Sequence, residues 1–103
     1  MFNFKDLMQQ AQGLQAKITA LQEELAEKTV IGRAGGDMVT VEASGTQEII
    51  SVKIEEQVLT SGDAELLEDL IAAAVNDALR KSRELAAQEM SKLTGGIKIP
   101  GLT

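Results

Sequence analysis

Val39-Thr40-Val41-Glu42-Ala43-Ser44-Gly45-Thr46-Gln47-Glu48-Ile49-Ile50-Ser51-Val52-Lys53-Ile54 is the stretch that decides the fold. Val39, Val41 and Ala43 alternate with Thr40, Glu42 and Ser44, the period-two pattern of a strand with one apolar face. Gly45-Thr46-Gln47 marks a turn. Ile50, Val52 and Ile54 then alternate with Ser51, Lys53 and Glu55, a second strand. Just upstream, Thr29-Val30-Ile31-Gly32-Arg33-Ala34 is rich in β-branched residues and is closed by the turn signal Gly35-Gly36-Asp37. Turns this short imply an antiparallel three-stranded meander. One face of it carries Val39, Val41, Ile50, Val52 and Ile54 and is expected to be buried. The other carries Glu42, Lys53 and Glu55 and is expected to face water.

The periodicity changes on both sides of the meander. Phe4, Leu7, Ala11, Leu14, Ile18, Leu21 and Leu25 step by three and four, a heptad stripe that predicts a helix from residue 4 to about 28. Gly13 weakens its middle by roughly 1 kcal/mol relative to Ala. Thr60-Ser61-Gly62-Asp63 is a helix-start signal, with Ser61 or Asp63 as the N-cap and acids in the first turn. From there a helix runs to about Leu93, with Leu67, Leu70, Ile71, Ala74, Ala78 and Leu85 on one stripe. The small residues Ala72-Ala73-Ala74 predict a close backbone approach. The fold class is therefore α+β: long helix, three-stranded antiparallel meander, long helix. Residues 1–93 are expected to form one domain. Residues 94–103, with three of the nine glycines and the one proline, are expected to form a flexible tail.

Lengths add a constraint. A strand of six or seven residues spans roughly 20 Å. Helices of about 25 and 30 residues span ~37 and ~45 Å. Both helices must outrun the sheet, yet their apolar stripes continue to the far ends. A homodimer in which the projecting arms pack on each other or on the second chain is the economical expectation.

Composition narrows the function. The 103 residues contain no Cys and no His, which removes disulfides, thiolate chemistry, most nucleophile–base pairs and most transition-metal sites. No enzyme, cofactor or metal site is expected. The serines lack a His partner, and neighbouring acids such as Glu68-Asp69 do not converge on a helix. Neither Gly35-Gly36 nor Gly95-Gly96 fits a phosphate loop. There is no apolar run of ~20 residues and no apolar segment near the start, so the cytosol is the expected compartment. The net charge is −6. It is uneven: residues 62–79 carry five acids and no base, and residues 80–103 carry five bases and two acids. A helix dipole suits that gradient, and so does a basic patch on an acidic body. Contact with duplex phosphates would fall to Lys5 and Lys17 on the first helix and to Arg80, Lys81, Arg83 and Lys92 on the second.

Leu67-Glu68-Asp69-Leu70-Ile71-Ala72-Ala73-Ala74-Val75-Asn76-Asp77-Ala78 resembles the signature of the YbaB/EbfC family of nucleoid-associated proteins. The hairpin Ala34-Gly35-Gly36-Asp37-Met38-Val39-Thr40-Val41, the start Met8-Gln9-Gln10-Ala11 and the tail Thr94-Gly95-Gly96 with Pro100-Gly101-Leu102 are similar to the same family. Asp37 departs from the pattern, standing where a third glycine is expected. The resemblance implies a bacterial cytoplasmic homodimer, tweezer-like in shape, whose paired helical arms contact double-stranded DNA. It further implies association with the nucleoid and effects on gene expression. A second class of function also fits the residues: a protein-interaction module whose acidic body or heptad helix holds a partner, with DNA contact indirect.

Overall fold

A computed structural model describes residues 3–94. The sequence motifs at residues 95–103, including nearly all of the expected tail, lie outside the described residues. The elements run α1 (Phe4–Glu27), β1 (Thr29–Ala34), β2 (Val39–Ser44), β3 (Ile49–Ile54), α2 (Glu56–Leu59) and α3 (Ala64–Leu93). The three strands form one antiparallel sheet in the order β1-β2-β3.

Local chemistry sets the element ends. The Asn3 side chain accepts the Lys5 backbone N–H at 3.0 Å and caps α1. Asp63 does the same for α3, accepting the N–H of Leu66 at 3.0 Å. Ser61, the other N-cap candidate, instead accepts the N–H of Asp63 and donates to the Val58 carbonyl. The turn between β1 and β2 takes three successive left-handed residues, Gly35, Gly36 and Asp37, with φ of 63°, 61° and 75°. That is the physical reason a glycine is expected at position 37. Asp is among the few other residues that tolerate the conformation, and its carboxylate pairs with Arg33 Nε at 2.9 Å.

The core lies between α3 and the first two strands. Val39, Val41, Ala43, Ala74 and Ala78 are fully buried, flanked by Val30, Ala34, Ile54, Leu70, Ile71 and Val75. Gly32 sits directly under the helix: a Cβ there would lie 2.3 Å from the Ala78 nitrogen and 2.4 Å from the Ala74 carbonyl oxygen. The close approach expected from the alanine run is thus made by Ala74 and Ala78, while Ala72 and Ala73 are exposed.

Two further expectations are corrected, at β3 and at residues 56–59, and the α1 stripe, expected to be covered by the other arm or a second chain, is largely bare in the single chain. The apolar face of β3 is not covered. Val52 stands opposite Val41 on the helix-facing side, yet it is 44% exposed because α3 crosses β1 and β2 and stops short of β3. A bulge pairs Ile49 with Ala43, so Ile50 has no partner across the ladder and is 51% exposed. The heptad stripe of α1 is buried only at Leu21 and Leu25; Phe4, Leu7, Met8 and Leu14 are exposed. The molecule is 71 Å long and 22 by 17 Å across, so α1 projects past the body as an arm. Finally, a single helical turn, α2, seats Val58 against the body, where the sequence pattern predicts no helix.

Two glycines give opposite expectations for one substitution. Gly32→Ala forces a methyl group against helix backbone and should lower stability by about 1–3 kcal/mol. Gly13→Ala meets nothing within 4 Å and should raise stability by about 1 kcal/mol. Thermal unfolding followed by circular dichroism separates the two.

Candidate nucleic-acid interface

The six candidate bases are not equivalent once folded. Lys5 and Lys17 stand on the projecting arm, 12 residues apart, about 18 Å along the helix. Neither side chain has a hydrogen-bond or ion-pair partner among the described residues. Arg83 on α3 is also unpaired, and it is exposed. These three charges are strung along the molecule rather than gathered in one cleft.

Arg80 and Lys81 are drawn together by a carboxylate. Asp77 accepts the backbone N–H of Arg33 at 2.9 Å, Arg80 at 2.5 Å and Lys81 at 3.2 Å. The Arg33 amide, then Arg80 and Lys81, hold the pKa of the Asp77 carboxyl at about 2, well below its ordinary value. Arg80 also pairs with Glu84 at 2.9 Å, and its two carboxylate partners make the guanidinium still harder to deprotonate. Lys81 reaches over β1 to the Ile31 carbonyl at 2.9 Å. Lys81 and Asp77 therefore tie α3 to β1, while Arg80 pairs within α3. The sequence does carry a signal for Arg80: carboxylates at three and four residues' distance are its natural helical partners. The contact from Lys81 to Ile31, 50 residues away, leaves no such trace.

Lys92 is intermediate. It donates to Glu89 at 3.3 Å, but its side chain is 74% exposed. Glu89 also meets Lys28 at 3.5 Å, which joins the end of α1 to α3. Lys92 and, less strongly, Lys28 hold the Glu89 carboxyl below its usual range. One base escaped the sequence reading. Lys53 on β3 has no ion-pair partner among the described residues, and it lines a hollow of about 260 Å³ with Arg33, Thr40, Asp37 and Glu55. Arg33, Thr40 and Lys53 are direct neighbours across the three strands, on the side of the sheet away from α3. Acids at the edge of that hollow oppose its two bases.

Among the described residues, no group of three or more Asp or Glu is arranged to hold a metal ion. No described helix is long and apolar enough to cross a membrane. What the surface offers is unpaired cations on a long arm and uncovered apolar side chains on α1 and β3.

The chain is similar to known proteins over nearly its whole length. The profile of the YbaB/EbfC DNA-binding family matches residues 1–97. A nucleoid-associated protein of Syntrophobacter fumaroxidans is 59% identical over 95 residues, covering 92% of this chain and 86% of its own. Nucleoid-associated protein TTE0040 of Caldanaerobacter subterraneus is 50% identical over 101 residues, covering 98% and 91%. Among solved structures, an uncharacterized protein from Helicobacter pylori, HP0035, shares the fold with a TM-score of 0.82 at 22% identity, over 92% of this chain and all of that one.

The Asp77 contacts set a pH dependence. A carboxyl depressed in the folded chain contributes stability above its unfolded value near 3.8 and loses it as pH falls toward about 2. Asp77→Asn should cost about 1.5–3 kcal/mol at neutral pH, as for hydrogen bonds to a charged group. The gap between the variant and the wild type should narrow below about pH 4 and close near pH 2. Melting temperatures taken from pH 7 to pH 2 test this, and parallel curves would show that Asp77 does not set the dependence.

Proposed function

Because the chain belongs to the YbaB/EbfC DNA-binding family, we propose that it binds double-stranded DNA as a homodimer, associates with the nucleoid of the cytoplasm, and influences nucleoid organisation or gene expression. The observation that carries this reading is the set of unpaired cations, Lys5, Lys17 and Arg83, spread along a molecule 71 Å long. Duplex DNA presents phosphates at regular intervals on a rod, and an elongated array of point charges suits a rod better than a pocket does. Lys92 joins them with its charge partly offset by Glu89. Arg80 and Lys81 contribute less, as their charges are offset by Asp77. Binding of this kind positions the protein on phosphates and carries little sequence readout.

The second copy answers the uncovered apolar surface. Phe4, Leu7 and Leu14 on α1 and Ile49 and Val52 on β3 are exposed in the single chain. A heptad stripe on a lone helix is the standard seam for a matching helix. Doubling the chain also doubles the cations while placing two arms side by side. Residues 1–93 act as one unit in this reading. Its chemistry is binding, and no residue is assigned a catalytic role.

Titration of labelled duplex DNA at several salt concentrations tests the proposal. Wild-type protein should bind in a salt-sensitive way. The triple reversal Lys5→Glu, Lys17→Glu, Arg83→Glu should flatten the log–log salt slope by about 0.9 for each phosphate that is no longer neutralised. Lys53→Glu, in its acid-edged hollow, should leave the slope in place. Light scattering should give twice the 11.0 kDa chain mass. Failure to bind at low salt would point instead to a protein partner, and a monomer at micromolar concentration would refute the paired arms.

A further inference from the structure

The direction of the arm is fixed at one small place, the turn between β2 and β3. Gly45 there donates its N–H to two carbonyls at the end of α1, Leu25 at 2.9 Å and Lys28 at 3.0 Å. These are among the acceptors that a helix C-terminus leaves unsatisfied. The turn thus caps α1 from outside the helix. Contact is tight: a Cβ at Gly45 would lie 2.6 Å from the Leu25 carbonyl oxygen and 3.1 Å from the Leu25 Cβ. Its backbone is not left-handed, so the requirement for glycine comes from this approach alone.

The same turn is gripped from its other side by α3. Ser82, fully buried, donates its hydroxyl to the Ser44 carbonyl at 2.7 Å and accepts the Gln47 N–H at 3.0 Å. Gln47 is left-handed, with φ of 65°, a costly state for a residue that is not glycine unless its surroundings over-determine it. Ser44 supplies that support from within the turn. Its hydroxyl accepts the N–H groups of Thr46 and Glu48 and bonds the Thr46 hydroxyl at 2.8 Å. A single turn therefore stands between α1 and α3 and is hydrogen-bonded to both. Among the described residues of the single chain, the other anchors of the arm are Leu21, Leu25 and the Lys28–Glu89 pair.

We propose that Gly45 and Ser82 are positioning residues that set the angle of the α1 arm against the body, and through it the spacing of Lys5 and Lys17 from Arg83. The role of that spacing rests on the DNA reading above; the angle does not. Leverage makes the effect visible. Leu21 to Lys28 spans about 10 Å of helix. A shift of ~1 Å at that seat tilts α1 by ~6° and carries its tip, ~25 Å beyond, by two to three ångströms, given a rise of 1.5 Å per residue.

Residual dipolar couplings of backbone amides on the full chain measure the angle between α1 and α3 without DNA. In Gly45→Ala the helix content should match the wild type while the angle changes by about 5° or more, the tilt that helix geometry gives for such a shift. Duplex affinity should fall severalfold although no charge is altered. An unchanged angle in the folded variant overturns the proposal, as does a changed angle with wild-type affinity. Ser82→Ala is the second variant, for the case in which Gly45→Ala does not fold. It should shrink the α1 couplings relative to those of α3, because a turn released from α3 lets the arm move, and couplings that keep their proportion overturn the proposal. Failure of the wild-type chain to bind duplex DNA would overturn the DNA reading alone, since the angle is read in its absence.

Discussion

Everything in this structure depends on the contact between Gly32 and the backbone of α3. With no side chain on the strand and only alanines on the helix, the two backbones meet at the distance a methyl group would occupy. That approach buries Val39, Val41 and Ala43 beneath the helix without any aromatic residue to fill the space. It also brings α3 near enough for Lys81 to reach the Ile31 carbonyl and for Asp77 to accept the Arg33 N–H. Farther along the same helix, Ser82 arrives against the β2–β3 turn at hydrogen-bond distance. A larger residue at position 32 would lift the helix off all of these partners together.

The electrostatic design follows from that packing. An acidic chain that contacts DNA must keep some of its bases free of its own acids. The fold does so by distance. Bases close to the helix–sheet seam are paired there: Arg80 and Lys81 meet Asp77, which also accepts the Arg33 backbone N–H. Lys5 and Lys17 on the arm form no ion pair among the described residues, although α1 also carries four acids. Repulsion between a chain of net charge −6 and phosphates is screened within about 8 Å at physiological salt, so each unpaired base acts over its own short range.

How much of this was legible in the sequence varied with the range of the cause. Strand alternation, the two turns, the heptad stripe and the Asp63 cap are local patterns, and each element stands where those patterns put it within a residue or two. The burial of β3 was misread because alternation says which side of a strand is apolar, and says nothing of how far a helix extends across it. The long stripe of α1 is legible as apolar, but within the single chain only its end, Leu21 and Leu25, is buried. Ser82 gave no sign of its burial, since a serine inside a helix becomes a good core residue only when a turn 35 residues away supplies both donor and acceptor. For the bases, spacing to nearby acids carried part of the answer for Arg80 and Lys92. The freedom of Arg83 depended on the folded surface. The resemblance in residues 67–78 pointed to the same family that the full-chain match establishes.

The placement of the core against the last element has a consequence for synthesis. The meander can pair its neighbouring strands as soon as they leave the ribosome. Its apolar side has no cover until Ala74, Ala78 and Ser82 have also emerged. During that interval the nascent chain exposes Val39 and Val41 together with the bare stripe of α1, the surface most prone to sticking to other chains. Completion of the body therefore waits for α3, and the exposed stripe of α1, translated before it, is still bare once the single chain has folded.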